Sequence, residues 1–257
     1  MRTAYTVLFA TVAAIMLCGA DTTTVDGVAP TNDLPNPYQT TAPWGKLPDG
    51  RKWGALNGVA IDVDGASVWV ADRCGANPDV PPGASPVQYD SCAGSALAPV
   101  LKFDSSGNLL RSFGAGMFIF PHKIFVDRDG NVWVVDGRSV NERERKLYPQ
   151  DAGKGHTVVK FSPEGKVLLT IGKAGVAGDP PDALTEPTSI VVAPNGDIFV
   201  SDGHGTGTNE RIVKFDKAGK FIKEWGHPGS APGAFSSLHS LAMDSRGRLF
   251  VANRDNN

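Results

Sequence analysis

Residues 120–137 read FPHKIFVDRDGNVWVVDG, and this stretch decides the fold. Ile124-Phe125-Val126 and Val132-Trp133-Val134-Val135 are apolar runs flanking Asp127-Arg128-Asp129-Gly130, an Asp-x-x-Gly turn between two antiparallel strands. The block recurs as TEPTSIVVAPNGDIFVSDG (185–203) and FSSLHSLAMDSRGRLFVANR (235–254), with a weaker first copy, LNGVAIDVDGASVWVADR, at 56–73. The first three copies are each followed by a second hairpin block: VLKFDSSGNLLRSFG (100–114), VVKFSPEGKVLLTIG (158–172) and IVKFDKAGKFIKEWG (212–226). Two hairpins make a four-stranded sheet, and such sheets repeating at about 50 residues are propeller blades around an axis. Continuous Val/Ile/Phe runs suit strands buried on both faces between neighbouring blades. The expected fold is all-β, a partial propeller over residues 44–257 with three complete blades and half of a fourth. Such an arc would leave open edges and bare apolar faces. The chain is therefore expected to be the N-terminal part of a longer protein, or to pair with another copy.

The chain has 257 residues and a net charge of −2, which gives no ground for a nucleic-acid or anionic-membrane partner. Thirty Gly and nineteen Pro suit many short strands joined by tight turns. Residues 1–20 join Arg2 to an apolar run over 4–17 and end in Cys18-Gly19-Ala20, the pattern of a signal peptide cleaved before Asp21. A signal anchor, or a lipoprotein modified at Cys18, is the alternative. The expected location is secreted or periplasmic, with no membrane association after cleavage. Residues 21–43, rich in Thr, Asp, Asn and Pro, are expected to be a disordered leader. Cleavage leaves Cys74 and Cys92, both in the insert between the two halves of the first blade. In an oxidising compartment they are expected to form a disulfide, the alternative being two free thiols.

Aligned on the turn, Asn57, His122, Thr188 and His239 share one position at the start of the innermost strand, where side chains face the channel. Two of the four are His, in a chain with only five. Converging imidazoles suit zinc, although two alone leave a site incomplete; the alternative is that both cap their strands through hydrogen bonds. A second position, just past the next strand, holds Arg73, Gly137 or Arg138, His204 and Arg254. Arginines there suit a substrate carboxylate, or else are solvated loop residues. His156 and His227 are expected on the surface, and the mixed-charge run 141–146 in a solvated loop.

The repeats resemble NHL repeats, and their order is similar to the peptidyl-α-hydroxyglycine α-amidating lyases. The marks are LPDGRKWGALNGVAID (47–62), FPHKIFVDRDGNVWVVD (120–136), PTSIVVAPNGDIFVSDG (187–203), RIVKFDKAGKFIKEWG (211–226) and LHSLAMDSRGRLFVANRDN (238–256). The resemblance implies six blades and a zinc ion on three channel histidines. Two of these match His122 and His239, and the third lies in a final blade outside this sequence. It also implies a structural calcium on the backbone carbonyls of Val59 and Ile124, and two substrate-binding arginines, Arg73 and Arg254. The family's tyrosine falls at His204, which becomes the candidate base, and its proline before the second histidine is Leu238 here. The implied reaction splits the N–Cα bond of a peptidyl α-hydroxyglycine or a related small-molecule or peptide substrate. The competing expectation is a non-catalytic propeller binding a ligand or protein partner on its channel face. A gluconolactonase-like hydrolase would need channel carboxylates for calcium, and the axial positions carry none.

Overall fold

The computed structural model describes residues 35–39, 44–48, 50–75 and 90–256. The expected signal peptide, and all of the expected leader except residues 35–39, lie outside the described residues. The chain divides into two units, Met1–Thr41 and Ala42–Asn257. In the first, residues 35–39 are exposed and without helix or strand. Among the described residues no helix is long and apolar enough to cross a membrane.

Among its described residues the second unit holds fourteen strands. The first sheet is β1 (Leu56–Ile61), β2 (Val68–Asp72), β3 (Val100–Phe103) and β4 (Leu109–Phe113). The second is β5 (Pro121–Val126), β6 (Val132–Asp136), β7 (Thr157–Phe161) and β8 (Val167–Ile171). The third is β9 (Pro187–Val192), β10 (Ile198–Asp202), β11 (Arg211–Phe215) and β12 (Phe221–Trp225). The fourth has β13 (Leu238–Met243) and β14 (Leu249–Asn253). Each is an antiparallel meander in chain order, as the two-hairpin blocks predict.

One turn serves every hairpin. In 127–130 the Gly130 N–H donates to the Asp127 carbonyl (3.0 Å), and the Asp127 carboxylate accepts the Asp129 and Asn131 N–H groups (3.0 and 2.9 Å). Asp104, Asp216 and Asp244 repeat this in their own turns. The closing Gly130 sits at φ 80°, a left-handed conformation that glycine adopts without a Cβ clash. The same Asp127 accepts the Trp133 indole N–H (3.0 Å) and pairs with Lys160 (3.2 Å), locking turn to sheet. A second carboxylate ties each four-stranded blade to its leading segment. Asp72 accepts the Gly54 N–H (2.7 Å), Asp136 the Phe120 N–H (2.5 Å) and Asp202 the Thr185 N–H (2.6 Å).

The core lies between blades. Trp69, Ala71 and Val100 of the first sheet meet Ile124, Val132, Val134 and Phe161 of the second. Trp133, Val135 and Val158 meet Ile190, Val200, Val213 and Phe215 of the third. Each fully buried large side chain contributes about 1.5–3 kcal/mol by leaving water. At the two ends of the row of sheets, β1 exposes Val59 and Ile61 and β14 exposes Phe250.

The Cys74–Cys92 disulfide is present, closing the insert of the first blade. Two expectations are corrected. The run 141–146 is not a solvated loop: Glu142–Leu147 form helix α1, whose capping box pairs Asn141 with Glu144. Glu144 is buried, holds Arg138 through both carboxylate oxygens (2.7 and 3.0 Å) and accepts from Ser91 Oγ (2.6 Å), so one acid of the mixed-charge run has internal partners. His156 is likewise buried, not on the surface: its Nε2 faces the Ser139 N–H (3.3 Å) and its Nδ1 the Glu186 N–H (3.2 Å).

Candidate functional site

The innermost strands carry the same irregularity. Pairing slips between Leu56 and Gly58, between Pro121 and Lys123, at the Pro187–Asp202 end of β9, and between Leu238 and Ser240. Asn57, His122, Thr188 and His239 are therefore bulge residues. A bulge leaves its extra residue out of the ladder and re-aims its side chain. Here it turns His122 and His239 towards one another, with ring centroids 5.1 Å apart. His122 is 4% exposed, and its Nδ1 lies 2.8 Å from the Thr188 carbonyl of the next blade. A ring nitrogen facing a carbonyl carries the proton, which leaves Nε2 with its lone pair free.

A third imidazole joins them. His204 lies on the loop after β10, with its ring 4.9 Å from His122 and 5.3 Å from His239. One ligand nitrogen from each of the three histidines falls within 4.8 Å of the other two. The Nε2 of His204 is buried and has no hydrogen-bond partner among the described residues. Burial, followed by the charge of His204, holds the His122 imidazole down at about 3. Burial, then His239 and Arg254, lowers His204 to about 4. His239 is lowered by burial and then by Arg254. All three rings are thus neutral near pH 7, the form that ligates a metal, and an all-imidazole set suits zinc.

The strand register refines the second position. Asp72, Asp136, Asp202 and Asn253 pair with equivalent residues, so Arg73, Gly137, Gly203 and Arg254 share one place. His204 is one residue further on and corresponds to Arg138. Arg73 is buried, with its guanidinium 3.4 Å from the centre of the Phe120 ring and its Nε donating to the Pro121 carbonyl (3.3 Å). Burial lowers it to about 10. Arg254 donates to Ser237 Oγ (2.6 Å) and to Asp255 (3.0 Å). Both guanidiniums are close enough to depress the histidines, so cationic and ligating groups share one end of the channel. A cavity of about 80 Å³ between Phe120, His122, Arg138, Glu186 and His204 adjoins them.

Val59 and Ile124 sit two residues beyond the bulges, on neighbouring innermost strands. Gly58 lies so close to Ile124 that an added Cβ would stand 2.6 Å from its backbone nitrogen. His227, expected on the surface, is exposed. Sequence reasoning places His204 near the channel but not in one cluster with His122 and His239. The signal available was its neighbour Gly203, which fixes the strand end one residue earlier.

No protein-family model matches the chain. It is 34% identical to mouse peptidyl-glycine alpha-amidating monooxygenase over 183 residues, 68% of this chain and 16% of that protein. It is 32% identical to peptidyl-alpha-hydroxyglycine alpha-amidating lyase 2 of Drosophila melanogaster, over 59% of this chain and 33% of the lyase. Mouse NHL repeat-containing protein 3 is 29% identical over 79% of this chain and 50% of its own length. The chain thus spans half or less of each of these relatives. A solved structure of a Bacteroides thetaiotaomicron protein of unknown function matches with a TM-score of 0.53 at 13% identity, over 78% of this chain and 45% of that one, which bears on the fold alone. The chain is built of NHL-type propeller blades and is similar in sequence to the peptidyl-α-hydroxyglycine α-amidating lyases and the NHL repeat-containing proteins.

Proposed function

We propose that the protein is a secreted or periplasmic metal-dependent lyase acting on a peptidyl α-hydroxyglycine or a related carboxylate-bearing substrate. The observation that carries this reading is the convergence of His122, His204 and His239 beside Arg73 and Arg254. The three imidazoles would hold zinc, which when bound would polarise the substrate hydroxyl and ease loss of its proton. Arg73, held rigid over Phe120, and Arg254 at the channel rim would bind the carboxylate and fix the scissile bond relative to the histidines. In the reaction the hydroxyl proton leaves and its electron pair forms the carbonyl of glyoxylate. The N–Cα pair passes to nitrogen, which takes up a proton to give the amide. A neutral imidazole cannot give its lone pair to a metal and accept a proton with it at once. The ligand distances favour His204 as ligand over its expected role as base. The backbone carbonyls of Val59 and Ile124 would hold a structural calcium.

The test is metal analysis of purified protein combined with glyoxylate release from a peptidyl α-hydroxyglycine. Zinc near one per chain, with release abolished by EDTA and by His122→Ala, is the expected result. Zinc binding without release would discard the lyase and leave a ligand-binding propeller, the reading favoured by the long match to NHL repeat-containing protein 3. No zinc in protein that is otherwise folded would discard the metal site.

A further inference from the structure

The joint between the third and fourth sheets departs from the joint between the second and third at three places gathered about Glu210. The residue before the third strand of a blade is His156 in the second blade and Glu210 in the third. Both have positive φ, 58° and 48°. Both face two backbone N–H groups, one from the loop after the preceding strand and one from the start of the next blade. His156 faces the N–H groups of Ser139 and Glu186. A neutral imidazole carries a proton on one nitrogen, so it accepts only one of them. Glu210 has two acceptor oxygens and takes both. Its Oε1 accepts from Gly205 N (2.9 Å), and its Oε2 accepts from Leu238 N (3.0 Å). Leu238 is the second departure: the second and third blades start this strand with Pro121 and Pro187, which have no N–H to give, whereas the first starts it with Leu56. His204 is the third, standing where the second blade has Arg138. Gly205 and Leu238 are the neighbours of His204 and His239. One buried carboxylate therefore grips the backbone beside two of the three imidazoles, while Thr208 Oγ1 accepts the His204 N–H (3.1 Å).

We infer that Glu210 is a positioning residue for the metal site, setting the loop of His204 and the strand of His239 at ligating distance from each other. The inference rests on the three-histidine reading above. It assigns to Glu210, Leu238 N–H and Thr208 the outer-shell role that orients ligands without touching the ion.

The experiment titrates the metal-free full chain with Co(II), following its visible d–d absorption, and then with zinc by competition. Two variants loosen the grip differently. Glu210→Gln puts an amide against one of the two N–H groups, and Leu238→Pro removes one N–H while installing the residue that starts β5 and β9. Asp127→Asn, another buried acceptor carboxylate but at a distant hairpin turn, is the control for general loss of stability. Glu210→Gln and Leu238→Pro should each weaken Co(II) binding about 10–100-fold, the usual cost of losing an outer-shell partner, and change the absorption envelope. Asp127→Asn should lower the melting temperature without moving either readout. If wild-type protein binds Co(II) and both variants bind within about twofold of it, Glu210 does not position the site and this inference fails alone. If the wild type binds no Co(II), the three-histidine reading and this inference fall together. If one variant does not fold, the other decides.

Discussion

Replacing His122 by Asn should flatten the loss of stability on acidification of the metal-free protein. Asn keeps an amide that can donate to the Thr188 carbonyl, now served by Nδ1 at 2.8 Å, but it cannot take up a proton. An unfolded histidine protonates near pH 6.5. The folded His122, held down by burial and then by the charge of His204, stays neutral to about 3. Between those values the unfolded state binds one more proton, so stability is full above pH 6.5 and falls as the pH falls. Each pH unit costs about 1.4 kcal/mol per proton, which makes about 2 kcal/mol between pH 7 and pH 5 for this one side chain. Asp136, pushed up to about 7 by burial, works in the opposite sense, but it is common to both proteins and cancels in their difference. The assay is urea unfolding in EDTA at pH 7, 6 and 5 for wild type and His122→Asn. The fall in unfolding free energy should be smaller in the variant by about 2 kcal/mol. Equal falls would show that the folded channel does not hold His122 neutral.

Three further outcomes follow from the same structure. Thiol titration of denatured, unreduced protein should find none of Cys74 and Cys92 free, and Cys92→Ser should cost about 3 kcal/mol of stability, as expected for closing a loop of this length. His156→Ala should destabilise by about 1–3 kcal/mol because it strands the part-buried N–H group whose hydrogen bond it accepts, while His227→Ala, an exposed change, should stay within about 0.5 kcal/mol in chemical unfolding. Arg73→Met should raise KM for a carboxylate-bearing substrate about 10–100-fold, the worth of a charge-assisted bond of about 1.5–3 kcal/mol. The same variant should leave KM for the corresponding carboxamide unchanged in steady-state assays.

The repeat was legible in the sequence because its signals are local. Asp127 to Gly130 and their equivalents announce each turn, and the Val/Ile runs beside them announce strands buried on both faces. The alignment of His122 with His239 followed from that register. What escaped was set by contacts between segments. Glu144 reads as one of several charges in 141–146, and only the approach of Arg138 and Ser91 makes it internal. His156 reads as a loop histidine, yet Ser139 and Glu186 meet over it. His204 is reached in the sequence only by counting residues past a strand end, and a count one residue out hides its meeting with the other two rings. A bulge, too, has no period of its own in sequence. It shows only when the two strands are laid side by side.

The meander within each sheet also has a kinetic consequence. Every strand pairs with its sequence neighbour, so a blade can form from hairpins whose loops close quickly. The links that follow join consecutive blades at one repeat's distance, His122 to Thr188 across 66 residues and Thr188 to Leu238 across 50. A chain ordered this way folds as a line of neighbours, each blade templating the next. Metal binding by His122, His204 and His239 would then come last, since their ring nitrogens meet only after three blades are in place. Hydrogen exchange resolved by blade should show amides of β6 and β10 protected before the loop at 204–208 becomes so, and the order of protection would read out the order of assembly.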